Sequence, residues 1–139
     1  MRTSKIFVTV DAVIFRKTKS DRGLLLIKRK NDPFKSKWAL PGGFVDEGED
    51  LPVAVARELQ EETGLVVHNL QQLGAFGKPG RDPRQHTVSV VYTGFANDNA
   101  VAVAADDAAD AQWFSVKSLP ELAFDHADIV TLALEKYNL

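Results

Sequence analysis

Three carboxylates invite chemistry first. Glu58, Glu61 and Glu62 stand at positions i, i+3 and i+4 of the run Glu58-Leu59-Gln60-Glu61-Glu62. On a helix, at about 100° per residue, they share one arc of about 100°, with Val55 and Leu59 beside it to anchor the helix to a sheet. Like charges at this spacing repel and weaken an isolated helix, although a solvated acidic face tolerates them. The chemical alternative is a site for hard cations. Mg²⁺ and Mn²⁺ take oxygen ligands and bridge carboxylates to substrate phosphates. A rigid helix would fix the carboxylate spacing that metal-assisted phosphate chemistry needs. Arg57, the preceding residue, would pair with a carboxylate, orient it and relieve the repulsion. The chain has no cysteine, which excludes thiolate catalysis, disulfides and cysteine-ligated zinc, and suits a reducing cytoplasm.

The elements that must position these groups follow from caps and periodicity. Asp50 reads as an N-cap, Pro52 fits the first turn, and Gly64 supplies the stop, which predicts a helix between them. Residues 5–16 are rich in β-branched and aromatic side chains and predict a strand; Lys19–Gly23 forms a turn, and Leu24–Arg29 a second strand. Trp38-Ala39-Leu40 reads as a short strand ending at Pro41-Gly42-Gly43, and Val66–Phe76 as a strand bent at Gly74. A loop rich in Gly, Pro and Arg covers Gly77–Gln85, His86–Phe95 alternates as a strand does, and Gln112–Ser115 is a short strand. An amphipathic helix runs from about Asp125 to Tyr137. This order predicts a mixed α/β architecture on a mixed sheet, in a single domain over 1–139.

Charge and hydropathy narrow the partners. The net charge is −2, from 17 basic and 19 acidic residues, which offers no excess of positive charge for general nucleic-acid binding. No stretch approaches the roughly 20 apolar residues that span a bilayer, and the N-terminus lacks a secretory apolar core, so neither membrane nor secretion is expected. The charge is unevenly placed. Lys28, Arg29, Lys30, Lys35 and Lys37 precede an acidic stretch from Asp46 to Glu62, an arrangement suited to an anionic substrate bridged through cations, or to an ordinary solvated loop.

The glutamates belong to a longer register. Gly43, Glu49, Arg57, Glu58, Leu59, Glu61, Glu62, Gly64 and Leu65 satisfy all nine defined positions of the 23-residue pattern GX5EX7REUXEEXGU, with U aliphatic. The chain is identified by this pattern as resembling the Nudix hydrolases. The resemblance implies an α+β fold of the Nudix type, an α/β/α sandwich with a mixed central sheet. The catalytic helix would lie on one side and the C-terminal helix would pack on the sheet. It implies that Glu58, Glu61 and Glu62 ligate Mg²⁺ or Mn²⁺, with help from the backbone carbonyl at Gly42-Gly43. Glu49 would brace the loop or Arg57. The implied reaction is hydrolysis of a nucleoside diphosphate linked to another moiety, with Arg57, Glu58 and Glu61 in the catalytic apparatus.

The choice of substrate rests on other residues. Gly80-Arg81-Asp82-Pro83-Arg84-Gln85-His86, together with Ala123-Phe124-Asp125-His126, resembles the small ADP-ribose pyrophosphatases, which yield AMP and ribose 5-phosphate. Arg81 and Arg84 offer forked donors to phosphate or ribose, or pair within a surface turn. His86 either contacts substrate or is a hydrogen-bonded structural imidazole, and Phe124 either stacks on adenine or packs in the core. Asp125 reads as a helix cap. Arg29 is the first choice for a diphosphate or ribose-phosphate contact. The general base is sought outside the motif, in the acidic Ala105–Trp113 stretch, where Asp107 is the candidate and Asp110 the second; Glu58 or Glu61 could serve instead.

Two other functions share these residues. One is MutT-like hydrolysis of oxidised nucleoside triphosphates to monophosphate and pyrophosphate, against which the Arg81–Arg84 and Phe124–His126 segments speak. The other is a non-catalytic ADP-ribose sensor joined to a DNA-binding module, for which the chain after Tyr137 leaves no room. The resemblance also implies a homodimer whose partner helps to complete the substrate pocket.

Overall fold

Alternation along the first strand sets the architecture. The computed structural model describes residues 3–18 and 21–139. Strand β1 (Phe7–Lys17) points Val10, Ala12 and Ile14 to one face and Val13 and Phe15 to the other, as the two-residue period of a strand requires. The helix α1 (Leu51–Thr63) covers the first face with Ala54, Val55 and Leu59. The helix α2 (His126–Tyr137) covers the second with Ile129, Val130 and Ala133. The result is an α/β/α sandwich.

The sheet between them is mixed. Its path runs β3 (Trp38–Ala39), β2 (Arg22–Arg29), β1, β6 (Thr87–Ala96), β5 (Gln71–Phe76). Strand β1 pairs with β6 in parallel over ten residues and with β2 antiparallel at its far end. Strand β4 (Gly42–Phe44) adds to the near end of β1, with Thr9, Val10 and Asp11 opposite Phe44, Gly43 and Gly42, and β7 (Ala108–Ser115) adds to β2. This pairing carries the Gly42-Gly43 turn onto the sheet, beneath the glutamate-bearing helix.

Several expectations are refined. The expected Val66–Phe76 strand contracts to Gln71–Phe76, because Asn69 adopts φ 60° and Val67 and Leu70 pack against Gly94 instead of pairing. A register shift falls between Gln72 and Gly74, where the bend was expected. Strand β7 begins at Ala108 rather than Gln112, since β2 offers it a partner along its whole length. Helix α1 is capped as read: the Asp50 carboxylate accepts from the Leu51 N–H, and Gly64, at φ 74°, donates its N–H to the Gln60 carbonyl. Of the expected turn at Lys19–Gly23, Lys19 and Ser20 lie outside the described residues. No helix among the described residues is long and apolar enough to cross a membrane.

Candidate active site

Arg57 organises the acidic cluster. Its Nε and Nη2 donate to the two Glu49 carboxylate oxygens at 2.6 and 2.9 Å. Its Nη1 donates to Glu58 at 3.0 Å and Glu61 at 3.1 Å, and Nη2 also reaches the Phe44 carbonyl at 3.3 Å. One planar fork thus ties the loop before α1 to the face of α1. Glu49 accepts the Asp46 N–H as well. The Arg57 guanidinium and this N–H hold the Glu49 carboxyl far below the usual range, at about 2. The converse effect raises Arg57, its bond to Glu49 being the chief cause.

Glu58 and Glu62 turn the other way, into the fold. A Cβ added at Gly43 would lie 2.6 Å from the Glu58 carboxyl carbon, so this carboxylate rests directly on the Gly42-Gly43 turn. Burial raises the Glu58 carboxyl, against the pull of Arg57. Glu62 is 5% exposed and accepts the Gly42 N–H at 2.7 Å. Burial, joined by the carboxylates of Glu58, Asp11 and Asp107, pushes its pKa up to about 8 in spite of that bond. A buried carboxyl with acidic neighbours and no cationic partner is the electrostatic setting that a divalent cation would relieve.

The oxygen donors therefore fit a hard cation. Glu58 and Glu62 both meet the Gly42-Gly43 turn, and Glu61 stands one helical turn from Glu58. Among the described residues, however, no three acidic or imidazole side chains are already gathered at metal-binding distance. Arg57 pairs with the partly exposed Glu61 instead. Glu58, Glu61 and Glu62 are the oxygen donors that would hold such a cation.

These groups open on a cleft of about 380 Å³, lined by Glu58, Glu62, Gly42, Gly43 and Asp107 together with Arg29, Arg81, Arg84 and Phe124. Arg29 sits 5.0 Å above the Phe124 ring centre and donates from Nε to the Pro33 carbonyl at 2.7 Å. Arg84 lies over both Phe44 and Phe124, at 5.2 and 5.9 Å. Phe124 in turn packs at 4.7 Å against Phe34.

The arginines of the 80–86 loop are already engaged. Arg81 forms a bidentate pair with Asp125, and Arg84 one with Asp82. The local self-pairing considered for this turn holds for Arg84 alone. Three expected site residues, Arg57, Glu61 and His86, do not line the cleft. His86 is turned to the Gly77 carbonyl at 2.7 Å and closes the base of its own loop, and Glu61 faces Arg57. Asp125 starts α2 without a side-chain capping bond, because Arg81 takes both its oxygens. Asp110 bonds locally to Ala111 and Gln112, away from the cleft, whereas Asp107 borders it.

Asp11 and His126 line the floor of the cleft, and neither was among the expected site residues. Asp11, Ser89 and His126 are all buried; Ser89 Oγ donates to Asp11, and the His126 Nδ1 accepts the Leu40 N–H at 3.0 Å. The available signal was an aspartate inside an otherwise apolar and β-branched strand, where an unpaired charge is costly.

The comparisons with known proteins bear on this arrangement. Residues 5–133 match the NUDIX domain family model. The chain is 46% identical over 123 residues to the ADP-ribose pyrophosphatase of Methanocaldococcus jannaschii, covering 88% of this chain and 70% of that protein. It is 36% identical over 135 residues to the ADPR responsive transcriptional repressor NtrR of Acinetobacter baylyi, covering 94% of this chain but only 54% of the repressor. Among solved structures, a MutT/nudix family protein from Enterococcus faecalis superposes with a TM-score of 0.92 at 34% identity, over 99% of this chain and 64% of that one. The NUDIX domain of Shewanella oneidensis NrtR, crystallised with ADP ribose, superposes with a TM-score of 0.89 at 36% identity, over 97% and 90% of the two chains. With the motif intact and its Gly43, Glu58 and Glu62 lining one cleft, the chain belongs to the Nudix hydrolase family.

Proposed function

We propose that the protein hydrolyses ADP-ribose to AMP and ribose 5-phosphate with Mg²⁺ or Mn²⁺. The observation that carries this reading is the cleft itself. Buried carboxylates at the Gly42-Gly43 turn share it with Arg29, Arg84 and the Phe124 ring, a set suited to diphosphate, metal and base together. The M. jannaschii relative and the NrtR domain crystallised with ADP ribose support the ligand, and a Francisella tularensis bifunctional NMN adenylyltransferase/ADP ribose pyrophosphatase complexed with AMP and Mn supports the product and the metal.

Glu58, Glu61, Glu62 and the Gly43 carbonyl would hold the cation, which would supply charge neutralisation of the diphosphate and activation of water. Arg57 aligns Glu58 and Glu61 for that task. Arg29 and Arg84 flank the anion, with Arg84 kept in place by Asp82. Asp107, the carboxylate outside the motif on the metal side of the cleft, accepts the proton of the attacking water. The new P–O bond forms from that water as the bond from phosphorus to the bridging oxygen breaks, and the bridging oxygen departs with the second phosphate.

The test is a panel of ADP-ribose, NADH, diadenosine polyphosphates and deoxynucleoside triphosphates, with Mg²⁺ and with chelator. AMP and ribose 5-phosphate from ADP-ribose, abolished by chelator, are expected. Pyrophosphate released from a triphosphate instead would give the MutT-like activity, which the 33% identity to a putative 8-oxo-dGTP diphosphatase of Bacillus subtilis keeps as the rival reading. ADP-ribose binding without turnover of any panel member would give the sensor reading that the NtrR likeness favours. The proposal includes a homodimer, measured by sedimentation.

A further inference from the structure

His126 carries a hydrogen-bond donor whose direction the fold has fixed. Its ring is 4% exposed, and its Nδ1 accepts the Leu40 N–H at 3.0 Å. The proton of the neutral ring must then sit on Nε2. Burial pulls the imidazole below its usual pKa, so the neutral form is the one present. Among the described residues Nε2 makes no hydrogen bond. The facing carboxylate oxygen, Asp11 Oδ2, stands 3.8 Å away, beyond hydrogen-bonding range. That oxygen is itself oriented by Ser89 Oγ. Both His126 and Asp11 border the cleft. The floor thus presents one fixed donor and one fixed acceptor, too far apart to satisfy each other.

A hydroxyl group closes such a gap. Its oxygen, seated off the line between the two atoms, lies within about 2.8 Å of both, accepting from Nε2–H and donating to Oδ2. We propose that His126 and Asp11 recognise a ribose hydroxyl of the substrate through this donor–acceptor pair. The inference rests on the nucleoside-diphosphate reading of the cleft and adds a specificity determinant to it. Position favours the nucleoside ribose. His126 lies between the Phe124 ring, 5.4 Å away, and the Gly42–Glu62 side, since Asp11 pairs in register with Gly42 and Glu62 accepts the Gly42 N–H. A base on Phe124 and a phosphate near Glu62 would place their connecting sugar over the pair.

Binding of products tests this without turnover. With Mg²⁺ present, calorimetry compares AMP with 2′-deoxy- and 3′-deoxy-AMP, and ribose 5-phosphate with 2-deoxyribose 5-phosphate. Wild type is expected to prefer AMP over one deoxy form by roughly tenfold or more, because the deoxy ligand leaves the Nε2 donor unpaired and Asp11 with only its Ser89 bond. A preference confined to the ribose 5-phosphate pair assigns the site to the other sugar. In His126→Asn, the amide oxygen can take over the Leu40 N–H while the Nε2 donor is lost. This variant is expected to keep its melting temperature within a few degrees and lose the preference. Asp11→Asn, which retains the shape of the acceptor but not its charge, is a second variant expected to weaken it. Equal binding of hydroxyl and deoxy forms by wild type, absence of binding by all of them, or a preference that survives in His126→Asn would overturn the proposal. Failure to cleave ADP-ribose would instead remove the activity reading and leave this comparison decisive on its own.

Discussion

Arg81 and Asp125 face each other across 44 residues of sequence in a bidentate pair, with Nε to Oδ2 at 2.9 Å and Nη2 to Oδ1 at 2.7 Å. The Arg81 side chain is 5% exposed. Asp125 therefore serves as the anchor of a loop rather than as the cap of α2. The pair fastens the Gly77–Gln85 loop beside Phe124, whose φ of 53° a bulky side chain adopts only under restraint.

Removing either partner leaves the other desolvated. Arg81→Ala is expected to lower stability by about 2–4 kcal/mol, the range for breaking a buried hydrogen-bonded ion pair. Arg81→Lys should recover only part of it, because an ammonium cannot satisfy both oxygens with the fork's geometry. Urea denaturation decides: an unchanged midpoint in Arg81→Ala would show that the pair does not secure the loop.

Arg57 and Glu49 give a prediction in pH. The Glu49 carboxyl is depressed to about 2 by Arg57, so its contribution to stability is complete above its unfolded value near 4.5 and fades as pH falls toward 2. Wild type and Glu49→Gln should differ most at neutral pH and converge across that acid window. Parallel stability curves through the window would refute the coupling. Arg57→Lys should retain the fold yet lose at least tenfold in kcat, since one ammonium cannot hold Glu49, Glu58 and Glu61 in register.

The bracing role of Glu49, toward the loop or Arg57, was implied by the resemblance of the motif, while α1 was legible from its Asp50 and Gly64 caps and β1 from its β-branched and aromatic run. The limits of reading are equally physical. The Arg81–Asp125 pair, and the Asp11–Ser89–His126 floor, join residues distant in sequence whose approach depends on the sheet register. Asp125 looked like a cap because local chemistry favours Asp there, and a tertiary partner took its carboxylate. For His86 the structural-imidazole alternative holds, but nothing in its sequence neighbours reveals that the Gly77 carbonyl is its partner.

Adjacent glycines in the turn should respond differently to alanine. At Gly43 the new Cβ meets first the Glu58 carboxylate, at 2.6 Å, the end of a flexible side chain. Gly43→Ala is expected to fold and to lose activity by about tenfold or more, as a small displacement of a catalytic group does. At Gly42 the Cβ meets the Val10 carbonyl at 2.2 Å and the Asp11 Cα at 2.9 Å, and backbone cannot withdraw without parting β4 from β1. Gly42→Ala should therefore lose stability first. Circular-dichroism melts beside initial rates separate the two, and a reversed order would contradict this account of the turn.

Glu62 links metal, pH and stability most directly. Its carboxyl is raised to about 8 in the folded protein, whereas in the unfolded chain it ionises near 4.5. Between those values the folded state binds the extra proton, so by linkage Glu62 makes stability fall as pH rises from about 4.5 through 8. Glu62→Gln keeps an oxygen for the Gly42 N–H and cannot ionise. In chelator at pH 8 this variant should be more stable than wild type, with the difference vanishing toward pH 4.5. Mg²⁺ or Mn²⁺ should raise the wild-type melting temperature at pH 8, because binding to the folded state alone stabilises it. The same addition should do much less for the variant and much less at pH 5, where Glu62 holds its proton. A metal-induced shift of equal size in wild type and Glu62→Gln at pH 8 would remove Glu62 from the ligand set, while activity in the variant measures its part in turnover separately.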